Sequence, residues 1–511
     1  MNLHNDDTYW MMIWRQFYRR PLGRWALCVV LVFCFVGVYA PFLASSKPFV
    51  IQYDGELFFP LFRYLFYRGF YTKFLDIFFN LFIFTVPLAM FSIVVFKKHT
   101  KILITCLASV ALLHGGLFVY FIYGPSRNPA FDAVLIKQRQ EAIGARKEIA
   151  HSTHRWDFDL RYMNGYARLN LVLQYQQRLN QQKRLEKYGK FYSEPDHKGR
   201  LFSGMPTLWQ IEMDNENREI QRLQLQIKDM QDSPNMLHNV KESLQYVLDR
   251  RKWILSQIPL LHYEVMPLVR PFHWEDDAGG DQSFNQHVPF WELTRINRKD
   301  LVAALIFGVR VSLVVGILAV ALALSIGLPI GSVSGYYGGT FDIIVSRLLE
   351  ILEGMPTFFM LLMVVAITQS KSIFLVIAVI GLFGWTTFAR YIRGEFFKQR
   401  NLPYIEACRA QGFNDSKIIF SHIFPNAIPP VLTLLPFAVM GAITSEASLS
   451  FLGLGEEGSC SWGVLMDEGR TAFPGESYLL WPPAILLTIL LVAIAMVGDA
   501  FRDALDPKLR R

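Results

Sequence analysis

The segment best placed to do work runs from Tyr404 to Asn426. Tyr404 to Gln411 reads as a short helix and Gly412 as a turn. Phe413 to Ser421 reads as a second, amphipathic helix, stopped by Pro425 at the next apolar run. Gly412 permits a backbone conformation that larger residues resist, and Asn414 or Asp415 can cap the second helix. A basic amphipathic elbow of this kind either lies on lipid headgroups or plugs a socket in a protein partner. Its chemistry is docking by charge and shape. A second place of interest is Thr444-Ser445-Glu446-Ala447-Ser448, near an outer helix end. An Asp at mid-bilayer costs roughly 2.5–3.5 kcal/mol on insertion scales. Asp76, Glu350, Glu353, Glu446 and Asp499, in or near apolar runs, therefore each need a reason. Glu446 with Ser448 reads either as a helix-end carboxylate, reaching water or capping the next turn, or as part of a pathway or gate.

Bond-making chemistry has no comparable footing. The chain contains no GxxxxGK[ST] phosphate loop, no GxSxG, no HExxH and no dinucleotide GxGxxG after a strand. Cys28, Cys34, Cys106, Cys408 and Cys460 have neither CxxC nor Cys/His ligand spacing, so they read as small membrane hydrophobes. His151 and His154 could share a helix face, but no acidic or Cys partner completes a metal site. No catalytic residue and no metal ligand is expected. Gly331, Gly335, Gly338 and Gly339, next to Tyr336 and Tyr337, read as an interfacial turn. Gly308, Ser312, Gly316, Ala319, Ala323, Gly327 and Gly331 recur at helical spacing, a close-packing face in a bilayer.

The elements that must position these residues follow from composition. The chain has 511 residues, is 52% hydrophobic with 42 Phe, and is only 18% charged, against about 25% for a typical soluble domain. Its mean hydropathy is +0.25 and its net charge +8. Disordered and nucleic-acid-tail classes are excluded, since both are charge-rich and aromatic-poor, and no nucleic-acid partner is expected. Residues 124–300 hold 26 of the 51 Lys+Arg and 23 of the 43 Asp+Glu. The rest is sparse enough in charge for long apolar runs, so a membrane protein with one large soluble insert is expected. About 20 apolar residues of helix cross a bilayer core. Eight spans are expected: Trp25–Ala44, Leu75–Phe96, Ile102–Tyr123, Leu301–Ile330, Ile343–Gln369, Ile373–Tyr391, Ala427–Ser445 and Leu479–Val497.

Lys and Arg in short loops set orientation. Arg15, Arg19, Arg20 and Arg24 place the N-terminus inside. Alternation then puts Lys97, Lys98 and Lys101, the basic stretch Arg390 to Lys417, and the C-terminal tail inside as well. The expected divisions are 1–24 (cytoplasmic), 25–44 (first span), 45–74 (external or interfacial) and 75–123 (a two-span hairpin). An external, mostly helical insert at 124–300 and a bundle at 301–511 with its cytoplasmic loop 401–425 complete them. Within the insert, Tyr162, Tyr166, Leu169 and Leu173 form one stripe. Ile220, Leu223, Ile227 and Met230 form another, and Val240, Leu244, Val247, Ile254 and Ile258 a third. Asp232-Ser233-Pro234-Asn235 carries a helix-start signal. A helical hairpin or small bundle is expected, either decorating the outer face or docking a delivered substrate.

The elbow resembles the EAA signature of binding-protein-dependent ABC importer permeases. Glu406, Ala407, Gly412 and Pro425 match at full spacing. Cys408 stands for the second Ala, Phe424 for the Leu, and His422 takes the first hydrophobic place. Phe307-Gly308-Val309-Arg310-Val311-Ser312, Gly335-Tyr336-Tyr337-Gly338-Gly339, Gly384-Trp385 and Ala389-Arg390 are similar to the dipeptide/oligopeptide/nickel group. So are Ser445 to Gly455, Ser461-Trp462-Gly463 and Gly498-Asp499 to Pro507. Lys47-Pro48 and Tyr53-Asp54-Gly55 to Pro60 resemble the microcin C/oligopeptide subgroup. Before the core the sequence departs from the group's Gly-Thr-Asp…Gly-Arg-Asp pattern, keeping Thr294 and Asp300 with Lys299 in the Arg place.

The resemblance implies an all-α polytopic bundle with a MetI-like permease core. It implies a multi-pass protein of the bacterial cytoplasmic membrane with both termini cytoplasmic. Its partners would be a second permease, two cytoplasmic ATPases that bind the ATP and Mg, an external solute-binding protein and the lipid bilayer. The function implied is alternating-access import of oligopeptides or dipeptides, without bond chemistry or a cofactor in this chain. Glu406, Ala407, Arg409, Gly412, Lys417 and Pro425 would couple to the ATPase. The alternative is a membrane-anchored sensor or assembly protein working through its external helical domain.

Overall fold

The computed structural model describes residues 9–67, 73–96, 99–124, 128–144, 155–189, 219–228, 234–269, 289–295, 299–456, 458–474 and 477–505. They fall into two compact units, one of Met1–Gly37 with Phe307–Arg511 and one of Val38–Ile306.

In the first unit, the helix Tyr9–Arg19 turns Ile13 and Phe17, four residues apart, onto Ala500, Ala504 and Leu505 of the helix Trp481–Leu505. Arg20 and Asp503 form an ion pair beside them. The first span, Pro21–Val38, ends where Arg310, fully buried, donates from Nε to the Gly37 carbonyl at 2.7 Å. Carbonyls at a helix C-terminus lack intrahelical partners and carry partial negative charge, so a cation fits there.

The helix Leu301–Tyr337 is 37 residues long, about 55 Å at ~1.5 Å per residue, which exceeds a hydrocarbon core of about 30 Å. Its small-residue face packs closely, as the spacing implies. A Cβ on Gly316 would lie 2.8 Å from Val439, on Gly327 2.6 Å from the Trp385 carbonyl, and on Gly331 2.3 Å from the Ala389 carbonyl. Because Gly331 and Gly335 take part in this contact with the helix Ile373–Gln399, the chain stays helical past them. Only Gly338 and Gly339, at φ +69° and +64°, make the turn expected for the whole glycine cluster.

The segment expected as one span at Ile343–Gln369 is broken. Gly339–Glu353 and Thr357–Thr368 meet at 77° across Gly354-Met355-Pro356. Proline disfavours helical geometry at the residue before it, which ends the first half there. The span placed at Ala427–Ser445 lies further on, at Leu435–Leu454. Among the described residues seven helices are long and apolar enough to cross a membrane, or eight if the bent pair is one span.

The second unit contains a helical hairpin, Phe74–Val95 and Thr100–Tyr123. His114 is buried there against Phe78 and Phe82, its Nδ1 3.0 Å from Thr85 Oγ1. The remainder is not purely helical. β1 (Val50–Tyr53) pairs antiparallel with β2 (Glu56–Phe58), and with β3 (Leu261–Val265) at the far end of the insert, in the order β2-β1-β3. The turn is Asp54-Gly55, both at positive φ, the backbone a two-residue hairpin requires. Ile51, Tyr53 and Phe58 pack on Leu169, Val172 and Leu173 of the helix Gly165–Gly189. Pro234–Gln257 begins at the expected start signal, carries the third stripe as far as Ile254, and ends with Gln257 accepting from Tyr53 Oη at 2.8 Å, while Ile258 opens the 3-10 turn that follows. Ile220, Leu223 and Ile227 lie in a short helical stretch at 219–228, whereas Met230, His151 and His154 fall outside the described residues. Thr294 and Asp300 bridge as isolated β partners, and Asp300 Oδ1 accepts from Ala303 N at 2.8 Å, capping the helix that follows.

Candidate coupling site

The elbow is built from a first helix, Pro403–Ala410, with Pro403 in its opening turn, where the missing N–H has no cost. Ile405 and Cys408, three apart, are buried in the cluster that includes Phe388, Ile392, Phe396, Ile418 and Ile423. Glu406, Ala407 and Arg409 are left exposed on the other side. The helix closes in a Schellman motif. Gly412, at φ +75°, donates to the Arg409 carbonyl at 2.9 Å, and Phe413 N donates to the Cys408 carbonyl at 3.1 Å. That pattern needs a left-handed residue at the position of Gly412. Asn414 Oδ1 then accepts from Lys417 N at 3.0 Å and starts the next helix.

Beyond Lys417 the sequence reading needs correction. Pro425 does not stop the helix. Ile418–Ile423 widen into a π-helical turn and the chain continues as Phe424–Leu432, with Pro425, exposed, in its first turn. Proline removes an N–H and its ring collides with the preceding turn, and the wider turn accommodates both. The elbow is thus one bent rod continuous with the bundle.

Two contacts from that rod, and a third from Arg400 just before it, hold the end of the long helix. Tyr336 Oη donates to Asp415 Oδ1 at 2.6 Å. The Arg409 guanidinium lies 5.7 Å from the Tyr336 ring centre, and Arg400 Nη1 donates to the Gly335 and Tyr336 carbonyls at 3.2 Å. Lys417 Nζ sits 3.8 Å over the Phe413 ring, which stacks on His422 at 5.7 Å. Arg409 and Lys417 are therefore exposed yet already engaged with aromatic rings of this chain. Behind the elbow, Arg393 grips Asp342 with both guanidinium arms, and Ser334 Oγ donates to the same carboxylate at 2.5 Å. Sequence reasoning did not single out Tyr336, Asp342 or Arg393 for a role, since their partners lie 51 and 79 residues away.

Glu446 and Ser448 fare differently. Glu446 is 4% exposed and does not reach water. Its Oε1 accepts from Ser450 Oγ and Ser461 Oγ, each at 2.7 Å, while its buried Oε2 has no hydrogen-bond partner among the described residues. Ser461 also accepts from Gly463 N at 3.2 Å as the cap of the helix Trp462–Thr471. The carboxylate thus ties two helices together. The hydroxyls it uses come from Ser450 and Ser461, with Ser448 half-buried on the same helix.

The chain also matches known proteins in sequence. Residues 327–511 match the family model of the binding-protein-dependent transport system inner membrane component, and residues 8–60 match the N-terminal TM domain of oligopeptide transport permease C. The chain is 34% identical to the oligopeptide transport system permease protein OppC of Haemophilus influenzae, over 50% of this chain and 83% of that protein. OppC of Bacillus subtilis is 36% identical over 42% of this chain and 70% of its own length. The inner membrane ABC transporter permease protein YejE of Escherichia coli is 36% identical, over 42% and 63%. A structure of the MetNI methionine ABC transporter in inward-facing conformations aligns at 20% identity and a TM-score of 0.33, covering 40% of this chain and 96% of that one. With the family model on the elbow and on the spans around it, the chain belongs to the binding-protein-dependent transport system inner membrane components, a multi-pass permease with a MetI-like core.

Proposed function

We propose that this chain is a permease subunit that moves oligopeptides or dipeptides across the cytoplasmic membrane by alternating access. Separate cytoplasmic ATPases bind ATP and Mg and drive the motion, a second permease completes the path, and an external solute-binding protein delivers the solute. Both termini lie in the cytoplasm, and this chain performs no bond chemistry. The observation that carries the reading is the elbow: its inner face, Ile405 and Cys408, is locked in the core, while Glu406 and Ala407 are presented outward. A rigid lever anchored at Tyr336 and continuous with the bundle passes displacement inward with little loss. In this reading Glu406 and Ala407 meet the ATPase cleft, Gly412 sets the angle, Arg409 and Lys417 brace the lever, and Pro425 joins it to the bundle. Glu446 holds two helices of the transport path in register. The test is peptide uptake and peptide-stimulated ATP hydrolysis by the assembled importer carrying Glu406→Lys. Loss of uptake with assembly reduced or uncoupled is expected, whereas wild-type uptake and coupling would remove the elbow from the mechanism.

A further inference from the structure

The family models match residues 8–60 and 327–511, and the insert carries a feature of its own. Between Arg155–Arg161 and Pro234–Gln257 lies a cavity of about 570 Å³, within the range of small-molecule sites, about 300–1,000 Å³. Trp156, Tyr246 and Trp253 form one wall, with Trp156 edge-on to the other two at 5.7 and 5.6 Å. The wall is fixed from behind. Tyr246 Oη donates to Asp159 Oδ2 at 3.0 Å, and Arg139 holds the other oxygen of that carboxylate at 2.8 and 3.0 Å. A rigid aromatic wall recognises apolar or aromatic groups at small entropic cost.

The polar groups of the cavity come in both signs. Lys241 and Lys252 are exposed at it. Glu242 has an oxygen, Oε1, out of water and without a hydrogen bond among the described residues; His238 Nε2 lies 3.4 Å from it. The Trp156 indole N–H, on a side chain 2% exposed, has no acceptor either. Buried polar groups are almost always hydrogen-bonded, and both of these belong to residues that line the cavity. A group of unlike charges around an aromatic wall is complementary to a zwitterion with an apolar side chain.

We propose that this cavity binds short peptides with free termini: the ammonium at Glu242, the carboxylate at Lys241 and Lys252, and an apolar side chain against Trp253. The choice of a peptide among zwitterions rests on the import reading, while the site itself rests on the cavity. It gives the insert a solute-contacting role separate from the membrane path.

The test uses the full chain in lipid nanodiscs, titrated calorimetrically with Ala-Phe-Ala, with its N-acetylated, C-amidated form, and with maltose as a neutral ligand of similar bulk. Saturable binding of the free tripeptide is expected. Blocking its termini should weaken binding at least about tenfold, and Glu242→Gln, which keeps the shape of the side chain, should do the same. Trp253→Ala should abolish it. Three results would overturn the proposal: no saturable heat up to about 10 mM peptide, where affinity is negligible; equal binding of free and blocked peptides; or maltose binding without peptide binding. Peptide binding unchanged in both variants would place the peptide elsewhere and overturn it too. Uptake is measured in parallel. Binding without peptide uptake removes the import reading and leaves the cavity, while uptake without binding removes the cavity alone.

Discussion

Replacing Gly412 separates backbone from packing more cleanly than any other substitution in the elbow. Its φ of +75° is left-handed, and a Cβ there would meet nothing within 4 Å. No steric clash therefore contributes, and the whole effect is the conformational one. Holding an ordinary L-residue in that region costs roughly 1–2 kcal/mol, about a five- to thirtyfold change in equilibrium. Asn tolerates the region best among non-glycines, and a β-branched residue worst. The series Gly412→Asn, Gly412→Ala, Gly412→Val should then loosen the elbow in that order. The direct reading is hydrogen exchange at Phe413, whose N–H is held by the Cys408 carbonyl at 3.1 Å. Its exchange should quicken by up to that factor for Ala, less for Asn and more for Val. Peptide-stimulated ATP hydrolysis by the assembled importer should fall in the same order. Wild-type exchange in all three variants, or an order that follows side-chain volume with Asn no better than Ala, would refute the argument.

Three further outcomes follow from particular contacts. Tyr336→Phe keeps the ring under Arg409 but removes the 2.6 Å bond to Asp415; a loss of about 0.5–1.5 kcal/mol should appear as faster exchange across 414–418, and none would mean the contact carries no load. Gly331→Ala puts a Cβ 2.3 Å from the Ala389 carbonyl, where neither backbone can yield, while Gly116→Ala meets nothing within 4 Å. Thermal unfolding in detergent should drop by more than the ~1–3 kcal/mol of ordinary overpacking for the first and stay near wild type for the second. Tyr64, whose hydroxyl is pushed up to about 12 chiefly by burial, against the lowering effect of the bond from Asn170, stays protonated in the fold above the pH at which it ionises in the unfolded chain. From about pH 10 to 12 the unfolded state thus binds fewer protons, and stability must fall as pH rises. A Tyr64→Phe chain should lose that component of the alkaline slope, and an unchanged slope would contradict the shift.

Legibility in the sequence varied with how local each feature is. The Gly412 turn, the Asn414 cap and the start at Pro234 involve residues within a few positions of one another, and each is where its motif places it. The bend at Pro356 was missed because hydropathy averaged over a window passes smoothly across it. The reading of Pro425 as a stop failed because a continuing helix can widen into a π turn. The β1–β3 pairing escaped an all-helical reading of the insert because its two strands stand on opposite sides of a two-span hairpin and most of the insert.

What the sequence determined by itself is therefore the membrane class, the approximate spans and the turn of the elbow. Twenty apolar residues in a row, or a glycine between two short amphipathic runs, have the same consequence in any surroundings. Only the tertiary structure decided what these elements act on: that Arg409 and Asp415 brace Tyr336, that Glu446 ties Ser450 to Ser461, and that Trp156, Tyr246 and Trp253 form one wall of a cavity. Those are questions of which faces meet. They depend on the packing of helices distant in sequence, where burial and close approach, and not spacing along the chain, set which side chains become partners.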